Sequence, residues 1–168
     1  TGLDTILKKA KVPKGSFYHY FKSKEAYGLA LVDAYDDFFI NKLKFYLEQS
    51  EVPALERIVN FTQSAIAGMQ KYDYKRGCLV GNLNQELNHL SDDFKTRLMQ
   101  SYIAWQQQLK RCLDLAQQQQ TINPHINTEQ MSEYFWVGWE GAVMRAKLTQ
   151  SSKPLTLYTE MFLRALLS

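Results

Sequence analysis

Residues that build covalent or metal frameworks are scarce in this chain: 168 residues include two cysteines, Cys78 and Cys112, and three histidines, His19, His89 and His125, in separate segments. Two thiols without paired metal spacing exclude a disulfide framework and a structural zinc site, and leave each cysteine either a reactive or a packing role. Glu86 and His89 share a helix face three residues apart, which a surface hydrogen bond explains more simply than metal ligation. No metal or cofactor is expected. The chain also lacks a Gly-x-Ser-x-Gly elbow, a phosphate-binding glycine loop and a His-Glu-x-x-His motif, so an enzyme is not expected. It has no run of about 18 apolar residues to span a bilayer, and its start lacks the basic-then-apolar pattern of a signal peptide; a soluble, cytoplasmic protein is the default.

Proline and glycine are few as well, four and eight, and they fall mostly at joints between segments of helical hydrophobic spacing. With 45% hydrophobic residues to bury, an all-α fold follows. Leu3, Ile6, Leu7 and Ala10 mark one face of a short helix that stops near Lys11 and Val12, and Pro13 suits the first turn of the next. Ser23 is a good N-cap for a long helix from Lys24 to about Gln49, with Leu31, Ala34, Tyr35, Phe38, Leu43 and Leu47 on or near one face. Pro53 opens another, with Ile58, Phe61, Thr62, Ala65, Ile66 and Met69 at helical spacing; a turn at Lys75-Arg76-Gly77 follows.

From Cys78 to Leu90 the apolar positions are Leu79, Leu83, Leu87 and Leu90. Ser91 then caps a helix that carries Asp92 and Asp93 in its first turn and a stripe of Phe94, Leu98, Tyr102, Trp105, Leu109 and Leu113, fading through Gln117–Gln120. Thr128 is the expected cap of the next helix, lined by Met131, Tyr134, Phe135, Gly138, Ala142 and Ala146. Pro154 starts the last, with Leu157, Met161, Leu163, Leu166 and Leu167. These two helices look too apolar for the surface of a monomer, which points to a homodimer formed through them, with an entirely intramolecular core as the other reading.

Charge is unevenly placed. Residues 1–24 hold six lysines against Asp4, a balance of +5, so the remainder sums to −2 of the net +3. A basic head on a mildly acidic body is the footprint of a nucleic-acid module joined to something else; a solvated lysine face on an amphipathic helix is the other reading of the charge run. Within that head, Gly15 and Ser16 keep the start of the second helix slim, so its free N–H groups can meet phosphate. Lys14, Tyr18, His19 and Lys24 are candidate outward contacts, and Tyr20 suits either an outward or an inward role. Phe17 and Phe21, four apart, share the inward face. A recognition helix needs these three properties together.

The arrangement Ile6-x3-Ala10-x-Val12-x-Lys14-Gly15-Ser16-Phe17-Tyr18-x-Tyr20-Phe21-x-Ser23-Lys24-Glu25 resembles the TetR family of bacterial transcriptional regulators. The resemblance is strong over roughly the first 35 residues and extends beyond them in helix count and layout. It implies a helix-turn-helix head over residues 1–23 and a helical regulatory and dimerisation body over residues 24–168. It further implies a homodimer on a palindromic operator of double-stranded DNA, in most cases a repressor released by a small ligand. By position, Lys14, Gly15, Ser16, Tyr18, His19, Tyr20 and Lys24 become the DNA contacts. Members of the family carry a further helix before the one containing Ile6, so the head is expected to lack its first helix here, and Gly2 stands where many have Ser or Thr.

The body offers two candidate effector features. Phe61, Tyr102, Trp105, Trp136 and Trp139 are bulky, lie mid-helix and include polar tips, as a mostly apolar ligand site requires; aromatics at this spacing also build plain cores. Cys78 begins a helix beside Lys75 and Arg76, and both the dipole and those cations favour its thiolate, the form that attacks electrophiles and oxidants. Its segment, Gly77-Cys78-Leu79, resembles a NemR-like branch of the TetR family that responds to reactive electrophiles, which makes Cys78 a sensing residue by that match; burial as a small hydrophobe is the other reading. Lys147 is a candidate to stabilise such a thiolate, although nothing in the spacing brings it near. Cys112, in an apolar stripe, belongs to the core. The competing function is a helical ligand-binding or interaction protein without a DNA role.

Overall fold

Caps and breakers in the sequence set the helix ends. A computed structural model describes residues 3–84 and 91–168. The described residues form eight helices and no strand: α1 (Leu3–Ala10), α2 (Lys14–Tyr20), α3 (Lys24–Leu47), α4 (Ala54–Lys71), α5 (Leu79–Asn84), α6 (Asp92–Gln118), α7 (Thr128–Thr149) and α8 (Lys153–Leu167). Gly2, Glu86, Leu87, His89, Leu90 and the side chains of Leu3 and Ile6 lie outside the described residues.

Lys11 ends α1 in the left-handed region at φ 55°. Pro13 and Pro53 stand just before the first helical residues of α2 and α4 rather than inside them, while Pro154 lies in the first turn of α8. The Ser23 hydroxyl accepts from the Ala26 amide at 3.0 Å and that of Ser91 from the Phe94 amide at 3.2 Å, caps worth about 1 kcal/mol each. At α7 the cap is Asn127, whose side chain accepts from the Gln130 amide at 3.0 Å. The expectation of Thr128 there was one residue late: Thr128 is buried and donates to Asp114 instead.

α4 and α6 bury most of the positions their spacing predicts, including Ile58, Phe61, Met69, Leu98, Trp105, Leu109 and Leu113. α3 does not. Leu31, Ala34 and Phe38 are exposed, and the helix turns Val32, Asp36, Leu43 and Leu47 inward, with Tyr35, Phe39 and Ile40 partly covered. The cause is a buried acid that a hydrophobic pattern does not register. Asp36 accepts from the Trp105 indole at 2.9 Å, the Ser101 hydroxyl at 2.9 Å and the Arg97 guanidinium at 3.0 Å, fixing α3 on α6 in that rotation. Arg97 also reaches Asp33 at 2.7 Å.

Tyr134, Leu157, Met161 and Leu167, expected along the apolar sides of α7 and α8, are all exposed. The residues packed inward are Phe135, Trp136, Trp139, Ala142 and Ala146 from α7, with Leu155, Thr159, Phe162 and Leu166 from α8. Tyr158 joins the pair by donating to the carbonyls of Tyr134 and Phe135 at 2.7 and 2.9 Å. Its ring fills the space over Gly138, where a side chain would collide with it.

Candidate DNA interface and effector cavity

α2 is held by aromatic packing behind and left bare in front. Phe17 is buried, 5.5 Å from the Phe21 ring and 5.6 Å from that of Tyr27, with Phe21 and Tyr27 5.0 Å apart. Tyr27, in the first turns of α3, was not anticipated; its place one turn beyond the Ser23 cap was the available signal. Lys14, Gly15, Ser16, Tyr18, His19, Tyr20 and Lys24 are all exposed, which resolves Tyr20, 78% exposed, in favour of the outward role. Nothing stands within 4 Å of a side chain added at Gly15, so a phosphate backbone can approach closely there. Lys14 pairs with Asp4 of α1 at 3.1 Å, and that partner raises its pKa. The pair is solvent-exposed, so it orients the lysine more than it stabilises the head.

In the body, Cys78 sits just before α5 beside a cavity of about 60 Å³ lined also by Gly81, Asn82, Glu140, Val143 and Lys147. Three helices converge on its sulfur. The Gly81 amide of α5 donates to it at 3.5 Å, the Tyr35 hydroxyl of α3 lies within hydrogen-bonding reach, and the Cys78 thiol reaches the Glu140 carboxylate of α7. Gly81 makes the approach possible, because a methyl group there would overlap that carboxylate.

These surroundings reverse the charge state expected of Cys78. Burial, then the Glu140 carboxylate, push the thiol up to about 12. Burial raises Glu140 to about 7. Burial also raises Tyr35 and Tyr102 well above the ordinary phenol value, so both stay protonated donors. The sequence placed Lys75 and Arg76 next to the sulfur, but both are exposed and Arg76 stacks on Tyr72 at 3.8 Å. Sequence neighbours do not decide the field at a buried atom; the acid brought in by α7 does. Lys147 does line the cavity, and its ammonium donates to Asn82 at 3.3 Å.

Phe61, Trp105, Trp136 and Trp139 are buried, 4% exposed at most, and pack directly on one another, with Tyr102 at their edge. Among the described residues the Trp136 indole N–H is buried without a partner. Cys112 is a core residue, bonded to the Ala54 carbonyl at 3.3 Å, and burial raises it to about 11.

A slim, exposed, basic and aromatic helix standing on a helical body with an inner cavity defines a helix-turn-helix regulator. The chain belongs to the TetR family: the model described as "Bacterial regulatory proteins, tetR family" matches residues 1–30, and "Tetracyclin repressor-like, C-terminal domain" matches residues 54–162. The transcriptional regulator AcuR of Cereibacter sphaeroides is 44% identical over 162 residues, covering 96% of this chain and 74% of that protein. The HTH-type transcriptional repressor NemR of Escherichia coli is 30% identical over 154 residues, 92% of this chain and 77% of that one. A crystal structure of regulatory protein TetR from Rhodobacter sphaeroides superposes with a TM-score of 0.93 at 42% identity, covering 98% of this chain and 87% of that one. E. coli NemR in its reduced form superposes at 0.82 with 28% identity over 96% and 84%. The protein is therefore a DNA-binding transcriptional regulator. Among the described residues no helix is long and apolar enough to cross a membrane.

Proposed function

We propose that the protein is a homodimeric repressor that sets α2 into the major groove of each half of a palindromic operator and leaves it when a small effector engages the body around Cys78. The reading divides the chain into a DNA-binding head, residues 1–23, and a regulatory and dimerising body, residues 24–168, working in the cytoplasm. One observation carries it: Tyr35, which reaches the Cys78 sulfur, lies on α3, the helix that Ser23 joins directly to α2. Any adduct on that sulfur must displace Tyr35 or Glu140, and so bears on the helix that positions the reading head. A shift of the dimer's two heads requires the effector to favour one arrangement over the other.

The DNA contacts are Lys14, Gly15, Ser16, Tyr18, His19, Tyr20 and Lys24. Operator affinity is expected to fall steeply as salt rises, by about 10³-fold or more between 50 and 200 mM if six or more phosphates are neutralised per dimer. Fluorescence anisotropy across a salt series measures the slope, and a flat response overturns the DNA assignment. Dimerisation rests on the exposed Val137, Leu148, Leu157 and Met161 along α7 and α8, the last three of which line an open groove of about 860 Å³. A two-fold dimer reads a two-fold operator.

For the effector, the reactive-electrophile reading is favoured by the cavity at Cys78. Cys78→Ser is expected to stay on its operator at electrophile doses that release the unaltered protein; release at the same dose defeats the sensor. The aromatic cluster supports a second, non-covalent reading, in which an apolar effector bearing an acceptor inserts among Phe61, Tyr102, Trp105, Trp136 and Trp139. Its support is the unpaired Trp136 N–H, a buried donor that costs about 1–3 kcal/mol while unsatisfied.

A further inference from the structure

At Cys78 a thiol and a carboxylate line one cavity and two phenols stand beside them, the four groups coming from separate elements, an arrangement that a merely packed cysteine does not require. Cys78 comes from the turn before α5, Glu140 and Lys147 from α7, Tyr35 from α3 and Tyr102 from α6. Resting this acid against the sulfur suppresses the thiolate. A sensor built to react through a preformed thiolate would pair the sulfur with a cation, whereas Lys147, which lines the cavity, is engaged with Asn82.

We propose that the Glu140 carboxylate is the proton acceptor for the Cys78 thiol when an α,β-unsaturated carbonyl compound adds to the sulfur in this cavity. The proposal rests on the sensor reading above and assigns its chemistry. The sulfur lone pair forms the S–C bond at the β-carbon as the thiol proton passes to Glu140. The alkene electrons move to the carbonyl oxygen, and the enolate then takes a proton at the α-carbon, leaving a thioether and a restored carboxylate. No oxidant or reductant is consumed. Tyr35 and Tyr102, which both face this pair, are protonated donors suited to the oxygen on which negative charge grows, and that favours a conjugated carbonyl over an electrophile without one. The volume of about 60 Å³ is several times what one water needs, and admits only a small molecule.

The pH response follows from which form of Glu140 accepts a proton. Burial places its titration at about 7, so the acceptor is loaded below that pH and free above it. Tyr35, Tyr102 and Cys78 itself stay protonated through this range. Adduct formation therefore climbs about tenfold per pH unit up to about 7 and levels off above it.

The test uses the full chain carrying Cys112→Ser, methyl vinyl ketone as probe, and intact-mass detection of the Cys78 adduct from pH 5.5 to 9. Glu140→Gln, which keeps shape and hydrogen bonding, is expected to lose the plateau and to react about 10²-fold more slowly at pH 8. Glu140→Asp, which keeps the carboxylate, is expected to retain a plateau at a reduced rate. A Gln variant that keeps the plateau, or reacts faster throughout because a repelling charge has gone, overturns the proposal. Operator release is measured in parallel. Adduct formation with the expected pH profile but without release defeats the sensor reading and leaves the role of Glu140 intact; release with an unchanged profile in the Gln variant does the reverse.

Discussion

Asp36→Ala is expected to lower the stability of the fold by about 2–6 kcal/mol, the cost of leaving two buried donors without their acceptor. Asp36 is 8% exposed and accepts three hydrogen bonds that cross from α6 to α3. Without it, the Trp105 indole N–H and the Ser101 hydroxyl, both in fully buried residues, face an apolar side chain. Each unsatisfied donor costs about 1–3 kcal/mol. Arg97 is better placed, because its side chain is 23% exposed and keeps Asp33. Urea unfolding followed by tryptophan fluorescence, at fixed protomer concentration because assembly contributes to apparent stability, measures the change. A loss under about 1 kcal/mol would show that α3 holds its rotation by apolar contacts alone. Asp36 also adjoins Tyr35, so the network that fixes α3 in the body lies one residue from the contact to Cys78.

Leu148→Asp and Leu157→Asp are expected to turn the proposed dimer into monomers. Leu148 is 81% exposed and Leu157 56% exposed in the single chain, values that for leucines on neighbouring helices mark a face meant to be covered. In a two-fold interface every residue acts twice. Withdrawing one leucine of about 1.5–3 kcal/mol from each protomer therefore weakens association by about 3–6 kcal/mol, or roughly 10²–10⁴-fold in the dissociation constant. Placing a carboxylate in the apolar face adds to that. Sedimentation velocity over a concentration series reads the change directly, and circular dichroism should show the helices unaltered because neither residue is buried. A variant that stays dimeric at low micromolar concentration would move the interface elsewhere. Loss of the dimer should take operator affinity with it, since the paired heads share the cost of binding two half-sites.

Much of the fold was legible because its signals are local. Ser23 and Ser91 cap where their hydroxyls are expected to, and Phe94, Leu98, Trp105, Leu109 and Leu113 lie on one buried stripe. The two faces of α2 were legible for the same reason, since Phe17 facing in and Lys14, Tyr18 and His19 facing out follow from helical spacing over seven residues. Errors arose where a long-range partner intervened. Asp36 rotated α3 away from the face that Leu31, Ala34 and Phe38 suggested. Thr128 gave up its capping place to Asn127 and turned inward to Asp114. On α7 and α8, periodicity identified apolar positions without telling the two faces apart, so Leu157 and Met161 were grouped with Leu166 although only Leu166 is buried.

By itself, the sequence determined an all-helical chain with a basic reading head and a cysteine worth attention, because helix spacing, capping and charge distribution are properties of neighbouring residues. Only the tertiary structure decided what that cysteine is. Glu140 stands 62 positions away from it, and no local pattern joins the two. Their meeting depends on α7 crossing α5 at a glycine, and in that low-dielectric contact a carboxylate outweighs two lysine-arginine neighbours that remain in water.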